Sequence, residues 1–174
     1  MIRILETEKI NTGLFVDFKR HQQVTKCWRK IYDKWVIVDN PFTEDWSKEQ
    51  YEYLVKCLRN TILTGGIVFG AFQDQRMVGF TSVEAKHFGS RKQYMELSSI
   101  HVSEESRGSG IGRGLIECAK GWAKEHGAEK LYISAHSSIE SQAFYKAVGC
   151  KEAEEYSRSH VEKEPCDCQL ELAV

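Results

Sequence analysis

Apolar positions along the chain change period several times, and the changes divide it into helical and extended stretches. From Phe15 to Trp35, the residues Phe18, Val24, Trp28, Ile31, Tyr32 and Trp35 recur mostly at threes and fours, which predicts one apolar helical face. Pro41 ends that pattern. Ser47-Lys48-Glu49-Gln50 then has the S-x-x-Q form of a capping box, with Trp46 and Tyr51 at staple positions, and Tyr51, Leu54, Val55, Leu58 and Ile62 continue as a second helix stopped by Gly65-Gly66. Two helices are therefore expected ahead of the central strands. From Ile67 the residues are those of strands: Ile67 to Phe72 and Met77 to Val83 are joined by Gln73-Asp74-Gln75-Arg76, which predicts an antiparallel hairpin, and a third run extends from Tyr94 to Val102. The basic loop between them, with Lys86, His87, Arg91 and Lys92, reads as solvated. Leu115, Ala119, Trp122 and Ala123 then form an apolar stripe closed by Gly127. A strand at Lys130 to Ala135, a helix at Glu140 to Val148 and strands at Cys150 to Tyr156 and Cys166 to Ala173 complete the order. No repeat, low-complexity tract or linker interrupts it, so residues 1–174 read as one domain.

Composition narrows the partners. With 24 basic and 25 acidic residues there is no electrostatic case for nucleic acid or an anionic membrane, and a small molecule is the better expectation. No apolar run approaches the roughly 18 residues that span a bilayer, and the first residues lack the long apolar core of a secretion signal, so a cytoplasmic location is expected. Six cysteines stand at 27, 57, 118, 150, 166 and 168, three of them within apolar patterns, as suits buried thiols in a reducing compartment. Cys166-Asp167-Cys168 on a strand would point its thiols to opposite faces, and no second Cys/His pair stands at metal spacing, so no metal site is expected.

The run Arg107-Gly108-Ser109-Gly110-Ile111-Gly112 joins the strand ending at Val102 to the amphipathic segment that follows. Glycines let successive backbone N–H groups converge on an anion, and the next helix adds the positive end of its dipole. A dinucleotide fingerprint requires glycine where Arg113 or Leu115 stands, and no Gly-Lys-Ser/Thr of a Walker loop occurs anywhere. What remains is R-x-x-G-x-G at Arg107, Gly110 and Gly112, with a plain glycine-rich turn as the alternative. It resembles the acetyl-CoA pyrophosphate loop of the GNAT superfamily, the GCN5-related N-acetyltransferases. Leu97-Ser98-Ser99-Ile100-His101-Val102 and Ala143-Phe144-Tyr145-Lys146-Ala147-Val148-Gly149-Cys150 resemble that family's strand and its F-Y-x-x-x-G-F element. Ser138 stands where the family commonly has asparagine, and Cys150 where it has phenylalanine.

The resemblance covers nearly the whole chain and implies an α/β (α+β) GNAT fold, a mixed, mostly antiparallel sheet of about six to seven strands flanked by about four helices. It implies acetyl-CoA as acetyl donor and no metal. Donor contacts are then expected from Ile100, His101, Val102, Arg107, Gly108, Ser109, Gly110, Ile111, Gly112, Arg113 and Ser138. It also implies a homodimer, and an acceptor pocket holding Trp28, Trp35, Phe42, Trp46, Glu162 and Glu164. Aromatics with carboxylates suit a cationic amine of a small molecule or peptide.

Acetyl transfer to an amine sets a proton problem. An alkylamine of pKa near 10.4 is protonated at neutral pH, and freeing its lone pair costs about 4 to 5 kcal/mol. By resemblance Glu96 is the general base, with simple exposure to solvent as the alternative. Strict alternation from Tyr94 to Val102 puts Glu96 on the face of Ser98, Ile100 and Val102, and the rival His101 on the opposite face. Tyr145 matches the tyrosine that many members use to protonate the departing thiolate, with a core aromatic as the alternative. A non-catalytic acetyl-CoA-binding module of the same fold is the second functional class.

Overall fold

The computed structural model describes all residues from Met1 to Val174. Its elements are β1 (Ile2–Ile4), two 3₁₀ turns (Thr7–Lys9 and Thr12–Phe15), β2 (His21–Ile31), β3 (Lys34–Asp45) and α1 (Lys48–Leu63). Then follow β4 (Ile67–Gln73), β5 (Arg76–Val83), β6 (Tyr94–Val102), a 3₁₀ turn (Glu104–Ser106) and α2 (Ile111–Glu125). The chain ends with β7 (Lys130–Ala135), α3 (Ile139–Ala147), β8 (Lys151–Glu152), α4 (Arg158–Lys163) and β9 (Cys168–Ala173). Seven strands form one sheet in the order β1-β4-β5-β6-β7-β9-β8, and β2-β3 is a separate ribbon. Within the large sheet only β6 and β7 run parallel.

Most expected elements are present for the expected reasons. Ser47 Oγ accepts from the Gln50 N–H while Gln50 Oε1 accepts from the Ser47 N–H, and Trp46 meets Tyr51 edge to face at 5.6 Å. The buried stripe of α2, Leu115, Ile116, Ala119 and Ala123, lies on one face of the sheet, where Tyr145 of α3 joins it. Leu54, Val55 and Leu58 of α1 cover the other face with Phe15, Phe18 and Phe80.

The segment from Phe15 to Trp35 is not a helix. It is a 3₁₀ turn followed by β2 and the start of β3, which turns through Tyr32 and Asp33 at φ 48° and 59°. Tyr-Asp is a poor match to the Asn-Gly signature of such a turn, so the hairpin carried no local signal. The pairing Val24↔Phe42 and Lys26↔Asp39 sets Asn40-Pro41 opposite Thr25 alone, a bulge that also accommodates the proline. Of the expected stripe, Val24 is buried but Ile31 and Tyr32 are exposed, so its residues share no buried face. One helix, not two, precedes the central strands.

Other corrections are local. The strand expected from Cys150 to Tyr156 is reduced to Lys151–Glu152, α4 occupies a stretch with no predicted element, and β9 begins only at Cys168, leaving Cys166 outside it and exposed. The basic loop is partly tied down, since His87 bonds the carbonyls of Lys92 and His126, and Arg91 pairs with Glu129.

Two irregularities position the site. Ser82 pairs with Ser99 but Val83 with Leu97, so Ser98 is an extra residue in β6. The parallel pairing of β6 with β7 covers only Tyr94, Met95 and Glu96. Beyond it β6 stays with β5 to Val102↔Gly79, while β7 stays with β9 to Ala135↔Cys168. The sheet is therefore forked after Glu96.

Behind the fork, the fully buried Glu171 accepts from Tyr94 Oη at 2.5 Å and Lys130 Nζ at 2.8 Å, with Lys151 Nζ at 3.2 Å. Burial pushes its carboxyl up, but the bonds from Lys130, Tyr94, the Glu154 amide and Lys151 outweigh it and hold it at about 2. A carboxyl depressed below its unfolded value near 4.3 adds stability above that value and loses it as pH falls. Wild-type stability in urea should thus decline between about pH 4.5 and 2. Glu171→Gln should be less stable at neutral pH and should show a shallower decline; equal slopes would show that this carboxyl does not drive acid unfolding.

Candidate active site

The fork opens into a cleft of about 820 Å³ that runs from the glycine loop to α3. Ile100, His101 and Val102 form one wall, Arg107, Gly108 and Gly110 to Arg113 one end, and Ser141, Phe144 and Tyr145 the opposite side. Gly110 caps α2 with φ 86°, a left-handed conformation that favours glycine. At Gly112 a Cβ would stand 2.9 Å from the Phe144 ring, so glycine lets the start of α2 approach α3. The first amide that α2 uses internally is that of Gly114, donating to Gly110 O at 3.1 Å. The N–H groups of Ile111, Gly112 and Arg113 therefore point out of the helix end, a concave donor set suited to an anion. Arg107 lies beside them with Nε on the Val102 carbonyl at 3.2 Å.

Of the residues expected at the donor site, Ser109 lies outside the cleft lining, and Ser138 is fully buried. Ser138 caps α3, accepts from the Ser141 amide at 3.2 Å and receives Gln22 Nε2 at 3.0 Å. Its neighbour Ser141 reaches the cleft instead.

The extra residue Ser98 alters the faces of β6. Met95 and Leu97 pack under α2, and after the bulge Ile100 and Val102 do so as well. Glu96 and His101 thus share the other face, contrary to strict alternation, because a bulge inverts the pattern beyond it. Glu96 stands at the vertex of the fork rather than in the cleft lining, with Oε1 3.0 Å from Nε2 of His160 on α4. His101 is enclosed by Trp46 at 4.7 Å and Phe80 at 5.2 Å, and its Nδ1 accepts from Arg20 Nε at 3.1 Å. Burial first, then the charges of Arg20, Arg107 and His136, push it down to about 3. A neutral ring of such low basicity cannot hold a proton taken from an amine.

Tyr145 is buried yet lines the cleft, and its hydroxyl makes no hydrogen bond to the protein. Burial raises it well above the usual phenol range, so at neutral pH it carries its proton. The nearby Cys150 thiol is pushed up to about 12, chiefly by burial, and Cys168 likewise, so neither supplies a thiolate nucleophile.

The expected acceptor residues are dispersed. Trp46 belongs to the His101 cluster, Trp28 packs on the core below α2, and Trp35 donates to Glu152 at 2.9 Å. Glu162 and Glu164 are exposed, Glu162 pairing with Arg158, while Phe42 meets the cleft residue His136 edge to face. Arg20 and His160 carried no signal in the sequence. Arg20 falls in the stretch expected as a helix but stands just before β2, and His160 sits on an unpredicted helix. Arg20 lines the cleft with a side chain 8% exposed; Nη2 pairs with Glu44 at 2.6 Å, and Nη1 is buried without a partner.

A family model described as "Acetyltransferase (GNAT) family" matches residues 28–150. The chain belongs to the GNAT acetyltransferase family. Its fold is shared by a Bacillus anthracis protein assigned as a streptothricin acetyltransferase and solved with acetyl coenzyme A, at TM-score 0.73 and 19% identity, covering 100% of this chain and 99% of that one. Nourseothricin acetyltransferase matches at TM-score 0.66 and 17% identity over 98% and 95% of the two chains. PaiA N-acetyltransferase from Thermoplasma acidophilum, solved with coenzyme A, matches at 0.61 and 18% over 100% and 98%. No curated protein matches by sequence. No helix is long and apolar enough to cross a membrane, and no three His, Cys, Asp or Glu side chains cluster as metal ligands.

Because the Tyr145 hydroxyl bonds to no protein group, its removal should leave the fold intact. Tyr145→Phe should unfold in denaturant within about 0.5 kcal/mol of wild type. A larger loss would assign the hydroxyl to structure.

Proposed function

We propose that the protein is an acetyl-CoA-dependent N-acetyltransferase acting on a primary amine of a small molecule or peptide. The observation that carries this reading is the fork itself: it leaves the β6 edge from Leu97 to Val102 without a β7 partner, beside an anion-binding helix end and a protonated tyrosine. The pyrophosphate of the donor sits on the amides at the start of α2. The pantetheine arm follows β6, where unpaired backbone donors stabilise charge on the thioester oxygen. Glu96 removes a proton from the amine, and Tyr145 gives its proton to the departing thiolate. Direct transfer suits a site whose buried thiols stay protonated. Acceptor contacts come from the hairpin side of the cleft, where Gln22 and Gln23 line it. The names of the structural neighbours, streptothricin, nourseothricin and PaiA acetyltransferases, support an amine acceptor and the amine classes to try first.

The deciding measurement is CoA release with streptothricin, kanamycin, spermidine and a lysyl peptide. Turnover of any of them supports the enzyme, whereas tight acetyl-CoA binding with no turnover favours a sensor of the same fold.

Gly110→Asp places a carboxylate where the anion is expected and a side chain at a left-handed φ. Acetyl-CoA affinity by calorimetry should fall by several kcal/mol, roughly a hundredfold or more. Undiminished binding in the folded variant refutes the loop assignment.

Glu96→Gln and Tyr145→Phe remove groups that act in the transition state. Each should lower kcat by about 10²- to 10⁴-fold with little change in acetyl-CoA binding. A loss below about threefold removes the residue from its role.

A further inference from the structure

Glu96 is held by a side chain that the proposed reaction does not yet use. His160 Nε2 lies 3.0 Å from Glu96 Oε1, and its Nδ1 lies 2.6 Å from Ser157 Oγ. The ring stacks on Phe88 at 5.9 Å and 24° and leans on Tyr132 at 5.2 Å, so its plane is fixed from two sides. The groups facing it are Glu96 from β6, Tyr132 from β7, Phe88 from the β5–β6 loop and Ser157 from its own segment. Glu96 is its only charged partner. Tyr132 is already committed, donating to Gln169 Oε1 at 2.6 Å and accepting the Ser157 amide at 2.9 Å.

We propose that His160 is a positioning residue that orients the Glu96 carboxylate and, when it gains a second proton, weakens that carboxylate as a base. The inference rests on the base role given to Glu96 above. With Ser157 Oγ–H donating to Nδ1, the neutral ring carries its proton on Nε2 and donates it to Glu96 Oε1. Oε2, which has no protein donor, is left to accept a proton from the amine at the vertex of the fork. When the ring gains a second proton, the imidazolium stabilises the carboxylate as an anion and weakens it as a base. Protonation of the ring therefore lowers the rate. A bond that only fastened α4 to β6 would anchor the helix without this dependence.

Two substitutions separate the roles. His160→Gln keeps an N–H donor for Glu96 but cannot become charged; His160→Leu keeps bulk and removes the donor. Rates would be measured as CoA release with the amine turned over fastest among streptothricin, kanamycin, spermidine and a lysyl peptide. His160→Leu should lower kcat by about tenfold or more at an unchanged acetyl-CoA KM. His160→Gln should stay within about threefold of wild type at neutral pH and lose one ionisation from the acid limb of kcat/KM. Ring-nitrogen NMR on the resting protein should show neutral His160 as the Nε2–H tautomer. An acid limb unchanged in His160→Gln, a wild-type kcat in His160→Leu, or an Nδ1–H tautomer would each overturn the proposal while leaving Glu96 as base. If Glu96→Gln is itself unimpaired, or no amine is turned over, the base reading fails and this inference falls with it.

Discussion

The site depends on one constraint: β6 and β7 are hydrogen-bonded for only three residues and then part, each held by its outer neighbour. In a continuous parallel sheet the edge of β6 beyond Glu96 would be satisfied by β7 and closed to any ligand. Parting the strands leaves backbone donors and acceptors that water or a bound molecule must satisfy, since unpaired buried backbone groups are costly. The fork is kept open from both sides. β7 is bound along its full length to β9, and the network around Glu171 ties Tyr94 at the root of β6 to Lys130 at the root of β7.

From this opening the protonation states follow by burial. Tyr145 and His101 both line the cleft and are driven in opposite directions because burial disfavours whichever form is charged. The phenol keeps its proton and the imidazole cannot gain one. The same rule silences Cys150 as a nucleophile. Glu96, at the vertex of the fork, keeps more access to water, with its side chain 30% exposed.

The glycine-loop half of the cleft was legible in the sequence because it is contiguous. A β-rich run, a glycine turn and an amphipathic helix are local signals, and R-x-x-G-x-G with the Phe144-Tyr145 element identified the family. The half built from the ribbon and α4 was not. Val24, Trp28 and Ile31 stand at helical spacing but lie in a ribbon, and its Tyr32-Asp33 turn lacks the usual residues. Ser98 reversed the assignment of faces on β6, and a one-residue bulge has no signature in a run such as Leu97-Ser98-Ser99-Ile100. Ser138 was read for a ligand contact when its buried role is to cap α3 and hold Gln22. His160 and Arg20 become visible only once remote segments meet.

That division also bears on the side of the cleft built from the ribbon. The β2–β3 ribbon stands outside the main sheet, yet it is fastened at several points: Trp28 N–H donates to the Ser137 carbonyl, Lys30 and Trp35 both bond Glu152, and Gln22 reaches Ser138. Glu152 is held at about 2 despite partial burial, because Lys30, Tyr156 and Trp35 all stabilise its charge. Such a ribbon is a fixed wall, not a loose lid. Its anchors are β8 and the strand-to-helix turn before α3, and the turn it grips also starts the helix that carries Tyr145. A change within the ribbon therefore leaves the fork in place, whereas a change at its anchors also shifts the helix that carries Tyr145. The two halves are least joined along the outer strand, where Val36, Ile37 and Phe42 are exposed.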